Sequence, residues 1–384
     1  MLNKIRRAVS LIKMTANYPG SLQRKFKYLK FIFELRKKGI VSFRLDRVAD
    51  LYTKDWFDFN GTTKEQKKWA YSHGFSSYKM AEWYGITKDN YKDFISDFDF
   101  YAPNNYIQQS EIVSWFEHKL NTYYLLSPFK DFMPTHYYYV YKGCIMPLDV
   151  KTNKVSNVTD VISLIKEKKS IAAKACFGGH GVGFYKFDFR DGIFYSNNKE
   201  ITENELAKII SCMECYIITD FVIPHPFFQE LCGKDTFAVM RVITVFDPED
   251  GPQITCSAIR LGCKKAGITT DHEGTIYCGL SLDKGVSFKP LYRKADNLYV
   301  NCEKHPDTDK SLVGFTLPNN DKLRELVISV SRYLPMTPYL VMDIIPTENG
   351  FSILEINSHG QVANVEPFYP FAANKYNKRA FNIK

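Results

Sequence analysis

The sequence predicts a mixed α/β or α+β protein, on three observations. Short strand-like and helix-like segments alternate from residue 150 onward. Hairpin-like strand pairs interrupt that alternation, the clearest being Tyr339-Leu-Val-Met-Asp343-Ile-Ile and Phe351-Ser-Ile-Leu-Glu355-Ile-Asn357 around Pro346-Thr-Glu-Asn-Gly350. Residues 40–120 instead look mostly helical and are rich in aromatics, with Trp56, Trp69, Trp83 and Trp115 among them.

Length and composition are consistent with that class. The chain has 384 residues, 45% hydrophobic and 24% charged, enough for a large core and, by length, for two or three domains. With 29 Phe and 25 Tyr it is not a disordered chain. The formal charge of +9 is unevenly spread: residues 1–38 hold eleven Lys/Arg and one acid, and the remainder carries 40 Lys/Arg against 41 Asp/Glu. The basic character therefore belongs to an N-terminal arm. Its apolar patches are interrupted by Lys13, Lys30 and Glu34 and are too short for a membrane span or a secretory leader. Helices that lie on an anionic membrane have this composition, and so do basic helices packed on a protein body. Nucleic acid is not the expected partner, because the body offers no excess of basic residues and no nucleic-acid motif. Nine scattered cysteines without an export signal point to reduced thiols and a cytoplasmic location. Cys212-Met-Glu-Cys215 has Cys-x-x-Cys spacing but no second pair nearby, and reads as incidental.

Taken in order, Asp97 to Asn105 reads as a loop, and a helix opens near Lys119 and runs to about Leu126. A strand covers Pro134–Tyr141, with a turn at Lys142-Gly143. Val158–Lys168 is a helix, Ser170–Ala175 a strand, and Cys176-Phe-Gly178-Gly179-His180-Gly181-Val-Gly183 a glycine-rich turn into another strand. Glu203–Cys212 is a helix, and Cys215–Ile223 a strand stopped by Pro224-His225-Pro226. Phe237–Phe246 and Gln253–Gly262 pair around Asp247–Gly251, and Asp321–Leu334 is a helix with its apolar stripe at Leu323, Leu326, Val327, Val330 and Leu334.

The chemistry-bearing residues fall on these elements. Side chains alternate along a strand, so Glu355 and Asn357 share a face, and Asp343 joins them if the register allows. Two carboxylates and an amide oxygen on strands suit a hard cation such as Mg²⁺, and hence a nucleotide site; a solvated hairpin face is the alternative. The glycine turn lies between two strands, which excludes a P-loop or a dinucleotide-binding turn, since both open a helix. It can fold over phosphates and donate N–H groups, with Lys174 close by as a point charge, or be simply a mobile hairpin. Arg241 and Arg260 lie in otherwise apolar strands; each either pairs with Asp343 or Glu355, or serves as a cation beside transferring phosphate.

The order Lys119, Lys174, glycine hairpin, strand to Asp220–Ile223, Arg241, Asp343, Glu-x-Asn resembles the ATP-grasp superfamily, and within it the sugar-transfer-associated family found beside polysaccharide genes. The resemblance covers roughly residues 115–365, with His305-Pro-Asp-Thr308, Gly314-Phe-Thr-Leu-Pro318 and Gly360 as supporting marks. It implies two α+β subdomains gripping ATP, preceded by a mainly helical region. The expected division is a basic arm at 1–38, a helical aromatic-rich domain at 39–130, a lid subdomain at 131–225 and a C-terminal subdomain with the Mg²⁺ site at 226–384.

The resemblance also implies roles. Lys119 and Lys174 hold the ATP phosphates under a lid formed by Gly178, Gly179, Gly181 and Gly183. Asp220, Phe221 and Val222 line adenine, with His225 near ribose. Arg241 stabilises the transferring phosphate, with Arg260 as a second candidate catalytic cation. Asp343, Glu355 and Asn357 bind two Mg²⁺ ions. Three departures stand out: His118 where relatives have an acid before the first lysine, Val239-Met-Arg241 where they have Asn-Thr-x-Arg, and Asp271-His272-Glu273-Gly274 where they have Asp-Asn followed by Gly-Gly. The last two bear on substrate identity. The implied activity is an ATP-dependent carboxylate–amine ligase acting through an acyl phosphate, with a small-molecule carboxylate and amine or a glycan acceptor. It would modify a cell-surface polysaccharide or capsule precursor from the cytoplasm or the inner membrane face. The alternatives are a phosphotransferase on the same fold and a non-catalytic nucleotide-binding scaffold.

Overall fold

The computed structural model describes residues 25–26, 29–30, 33, 62–75, 78–100, 110–149, 155–178, 181–234, 236–266, 273–294 and 299–383. Most of the basic arm, Gly179, His180, Asp271 and His272 lie outside these residues. No described helix is long and apolar enough to cross a membrane. The chain divides into two compact units, Met1–Glu111 with Tyr369–Lys384, and Ile112–Phe368.

In the first unit, helices α1 (Lys64–Ser72) and α2 (Tyr78–Tyr84) contribute to a small core of Ala70, Phe75, Ala81, Ile86 and Phe94, with Trp69 packed on it, and α3 (Asp97–Phe100) follows. The start of the Asp97 segment, expected as a loop, is this short helix, its entry fixed by Ser96 and Asp99 bonding each other at 2.7 Å.

Helix α4 (Ser110–Glu117) spans the division at Ile112, and the second unit continues with α5 (Lys119–Leu125) and contains two seven-stranded antiparallel sheets. The first sheet comprises β1 (His136–Tyr141), β2 (Cys144–Pro147), β3 (Ser170–Ala175), β4 (Phe184–Arg190), β5 (Ile193–Ser196), β6 (Lys199–Ile201) and β7 (Tyr216–Asp220), in the order β2-β1-β7-β3-β4-β5-β6. Helices α6 (Val158–Lys168) and α7 (Glu203–Ser211) cover one face of it. Both start at capping boxes, Asn157 with Asp160 and Thr202 with Glu205, and each box satisfies two otherwise orphaned N–H groups. Their apolar stripes meet Ile171, Ala173, Phe187 and Ile218. Alternation then sends Ala172, Lys174, Lys186, Asp188 and Thr219 to the opposite face.

The strand expected to reach Ile223 ends at Asp220, and Pro226 opens a helix, α8 (Pro226–Cys232), instead of merely stopping the strand. Proline is well placed in a first helical turn, where its missing N–H costs nothing. The second sheet follows: β8 (Ala238–Asp247), β9 (Gly251–Leu261), β10 (Ile276–Ser281), β11 (Val286–Arg293), β12 (Tyr299–Asn301), β13 (Tyr339–Thr347) and β14 (Gly350–Asn357), in the order β12-β11-β10-β9-β8-β13-β14. Helix α9 (Asn320–Tyr333) lays Leu323, Leu326, Val327 and Val330 on one face, against Met240, Val242, Ile259, Met342 and Ile344. Each such fully buried side chain contributes roughly 1.5–3 kcal/mol. The other face of β8, β9, β13 and β14 is left for charged residues. In the first unit the chain closes with α10 (Lys375–Phe381), where Phe381 stacks on Phe100 at 5.5 Å.

Candidate active site

The charged face of the second sheet is built on register. β13 pairs with β8 so that Asp343 lies opposite Arg241, and with β14 so that Asp343 lies opposite Glu355 and Val341 opposite Asn357. β9 adds Arg260 opposite Val239. Arg241 grips Asp343 as a fork, donating from Nε to Oδ1 at 3.0 Å and from Nη2 to Oδ2 at 2.9 Å. Arg260, almost fully buried, places its Nη2 3.1 Å from the same Oδ2. One carboxylate is thus held by two guanidinium groups. Asn357 donates from Nδ2 to Glu355 Oε1 at 2.9 Å, which leaves the amide oxygen of Asn357 as an acceptor beside the Glu355 carboxylate.

Lys119 joins this face to the glycine turn. Its ammonium donates to the Gly178 carbonyl at 2.7 Å and lies 4.0 Å from Glu355 Oε2. Backbone bonds hold the lysine there: Lys119 N–H donates to Cys176 O, and Cys176 N–H to Cys215 O. The turn needs its glycines. Gly178 and Gly183 have φ of +92° and +72°, and a Cβ at Gly183 would meet the Tyr216 hydroxyl at 2.8 Å. Gly181 also has a positive φ, 72°.

Lys174 comes from β3 on the inward face of the first sheet. Among the described residues it makes no hydrogen bond or ion pair. Burial, together with the positive charge of Lys119, pulls its pKa down to about 8, and the Glu355 carboxylate opposes that shift. His136 is pushed down to about 4, mainly by burial, with the charge of Lys174 adding to it while the Pro134 carbonyl and Asp220 work the other way. It is neutral at pH 7 and packs against the Tyr123 ring, tilted, with centroids 4.7 Å apart.

The remaining sequence-predicted residues form the flank. Asp220 is turned toward β1, accepting from Tyr137 Oη at 2.6 Å and from the Thr135 N–H at 3.3 Å. Val222 packs against an apolar floor of Phe237, Val239 and Ile345 on the charged-face side of the second sheet. His225 caps α8, its Nδ1 accepting the Phe227 N–H at 3.0 Å, and its own N–H donates to Pro346 O. The sequence reading missed Lys186. This buried lysine of β4 lies 4.5 Å over the Phe221 ring and 3.5 Å from Asp188, which is itself bound by Ser170 and Arg190. A lysine inside the run Phe184-Tyr-Lys-Phe, where alternation turns it away from the helices, was the available signal.

The balance of charge says what the face can hold. Lys119, Lys174, Arg241 and Arg260 stand against Asp343 and Glu355, an excess of two positive charges. A bare divalent cation is a poor match for that field, whereas a polyphosphate carrying its own cation is a good one. The donor set fits that cation. The Glu355 oxygens and the Asn357 amide oxygen are hard ligands, and an Asp343 oxygen would be shared with the arginines that hold it.

A family model described as sugar-transfer associated ATP-grasp matches residues 99–367. No curated protein matches the chain. Among solved structures the chain is similar to the ADP complex of purK, an N5-carboxyaminoimidazole ribonucleotide synthetase (12% identity, 67% of this chain and 48% of that chain, TM-score 0.36). It is also similar to D-alanyl-alanine synthetase A from Vibrio cholerae (12% identity, 67% and 59%, TM-score 0.37). A third is the macrocyclase MdnC of Microcystis aeruginosa bound with its precursor peptide MdnA (13% identity, 65% and 55%, TM-score 0.33). The chain spans about half the length of these proteins.

Proposed function

The chain belongs to the sugar-transfer associated ATP-grasp family, and from that premise we propose that it is an ATP-dependent carboxylate–amine ligase. The observation that carries the reading is Lys119, whose ammonium touches both the glycine turn at Gly178 and the carboxylate strand at Glu355. A cation at that junction is where a phosphate chain lying between the two sheets would be held. In this reading Lys119 and Lys174 bind the phosphates, and Gly178, Gly179 and Gly181 cover them. The apolar floor near Val222, with Asp220 and Phe221 beside it, receives the base. His225 supports this edge as a helix cap. Asp343, Glu355 and Asn357 hold Mg²⁺, two ions in the full proposal, which when bound neutralises phosphate oxygens.

Chemically, a substrate carboxylate oxygen takes the γ-phosphoryl group, giving an acyl phosphate and ADP. An amine then attacks the acyl carbon, the amide forms and phosphate leaves. Arg241 and Arg260 face the charge that develops, Arg241 nearer the open side, and no side-chain nucleophile is required. We further propose that the acceptor is a cell-surface glycan precursor bearing a sugar acid or an amine. The basic arm at residues 1–38 would bring the enzyme to an anionic membrane carrying such a substrate.

A thermal shift tests the premise of this reading. ATP with Mg²⁺ is expected to raise the melting temperature of the wild type, since a ligand of the folded state must stabilise it, and not that of Lys174→Ala. No rise at millimolar ATP would overturn it. Product analysis then separates ligase from phosphotransferase, because a ligase releases phosphate and a kinase leaves it on the acceptor.

A further inference from the structure

Behind the phosphate-facing side of Lys119 lies a cluster that the proposed reaction does not use. His118, Cys176 and Cys215 each offer one ligand atom, and the three atoms lie within 4.8 Å of one another. His118 Nε2 is 3.4 Å from Cys215 Sγ, and the Tyr139 hydroxyl is 3.5 Å from the same sulfur. Cys176 is fully buried, and the Phe177 ring stands edge-on to His118 at 4.7 Å. The residues come from three segments: the cap of α5, the end of β3 and the residue before β7. The same two backbone bonds that seat Lys119 tie these segments together, so the ligands are held without any ion pair between them.

We propose that His118, Cys176 and Cys215 form a three-ligand site for a thiophilic divalent cation, Zn²⁺, with its fourth position open to water. Two sulfurs and an imidazole select a borderline-soft ion over Mg²⁺. Tetrahedral zinc with bonds of about 2.0–2.3 Å sets its ligand atoms roughly 3.5–3.8 Å apart, so the cluster needs to contract by no more than about an ångström. Two thiolates on Zn²⁺ give a neutral unit, which suits a buried place beside a lysine. Burial and the Lys119 charge both keep His118 low, so the imidazole is the neutral, ligating form. Zinc binds cysteine as thiolate, so its entry is expected to tighten as pH rises.

His118 immediately precedes Lys119, and Cys176 is two residues before Gly178. The ion would therefore clamp both ends of the Lys119–Gly178 contact. Cys215 takes part without its sequence neighbour of the Cys-x-x-Cys spacing, since Cys212 is exposed and outside the cluster.

The test uses the full chain, reduced, incubated with Zn²⁺ and desalted, with metal content measured, and in parallel with Co²⁺, read by thiolate-to-metal charge-transfer absorption. Wild type is expected to retain about one equivalent of zinc and to show the cobalt band. Cys215→Ser and His118→Ala are expected to lose at least tenfold in zinc affinity, and Cys212→Ser to bind as wild type does. Wild type without stoichiometric zinc and without the cobalt band overturns the proposal, and this holds whether or not any variant folds. Equal loss in Cys212→Ser, or Cys215 alkylated as fast with zinc as without it, also overturns it. Neither readout depends on nucleotide, so the outcome is independent of the ligase reading.

Discussion

The two sheets of the second unit treat charge in opposite ways. On the second sheet Asp343 is locked by the Arg241 fork and by Arg260, so the charges largely compensate each other within the protein. On the first sheet Lys174 has no such partner among the described residues, and its positive charge is kept at a cost that appears as a lowered pKa. One side is complete in itself; the other, in the proposed function, is completed by an anion. The difference teaches that a site can be half scaffold and half receptor, and that the two halves respond differently to the same kind of substitution.

The largest effect is expected on the compensated side. Asp343→Ala leaves two guanidinium groups facing each other with their carboxylate gone, and should lower the unfolding free energy by about 3–5 kcal/mol in a urea titration. A change under about 1 kcal/mol would mean that water already screens the cluster, and the contrast between the sheets would fail. On the other side Lys174→Met removes a desolvated charge. Its unfolding midpoint without ligand should be unchanged or higher, while affinity for ATP with Mg²⁺, measured by calorimetry, should fall at least tenfold, about 1.4 kcal/mol. A loss of stability comparable to that of Asp343→Ala would erase the distinction.

The pH dependence sharpens it further. Lys174 titrates near 8 in the free protein, below the ordinary 10.5. Bound phosphate favours the charged form, so affinity should be level below pH 8 and fall as pH rises through it, by about tenfold per pH unit at most. Stability without ligand moves the opposite way. The unfolded chain holds this proton more tightly, so the contribution of Lys174 to folding improves between about pH 8 and 10.5. An affinity that stays flat from pH 7 to 9 would sink the assignment of Lys174 to phosphate. The smallest expected effect is that of Mg²⁺ alone, which should leave the melting temperature unchanged because the face already carries an excess of positive charge. A clear rise with Mg²⁺ and no nucleotide would show that the charge balance has been misjudged.

Much of this was legible before the fold. The capped helices α6 and α7 and the stripe of α9 follow from local chemistry and a 3.6-residue period, and their bounds agree with the structure to within a residue or two. Asp343, Glu355 and Asn357 share a face because strands alternate. Other features depended on contacts far apart in sequence. No pattern around Arg241 or Arg260 says that both reach one carboxylate, because that depends on three strands stacking in register. Nothing local marks Lys186 as buried, because that depends on β4 being paired on both edges. His118, Cys176 and Cys215 are spread over about a hundred residues, and the local spacing Cys212 to Cys215, read as incidental, gives no sign that Cys215 meets the other two. The strands β10, β11 and β12 were not anticipated at all. Strict alternation also fails once inside β14: carried back from Glu355 it would set Phe351 and Ile353 beside the acid, yet both face α9.

That failure comes from Leu354. Asp343 pairs with Glu355 and the next residue, Ile344, pairs with Ile353, so Leu354 has no partner opposite it in the ladder and joins the apolar floor near Val222. A chain lacking Leu354 could keep every one of those cross-strand pairs and every side chain on its present face. What it would lose is curvature, since an unmatched residue bends its strand and adds twist. Leu354 therefore acts as an aiming device: it specifies no contact in the charged cluster, but it sets the angle at which Glu355 and Asn357 are presented to Lys119.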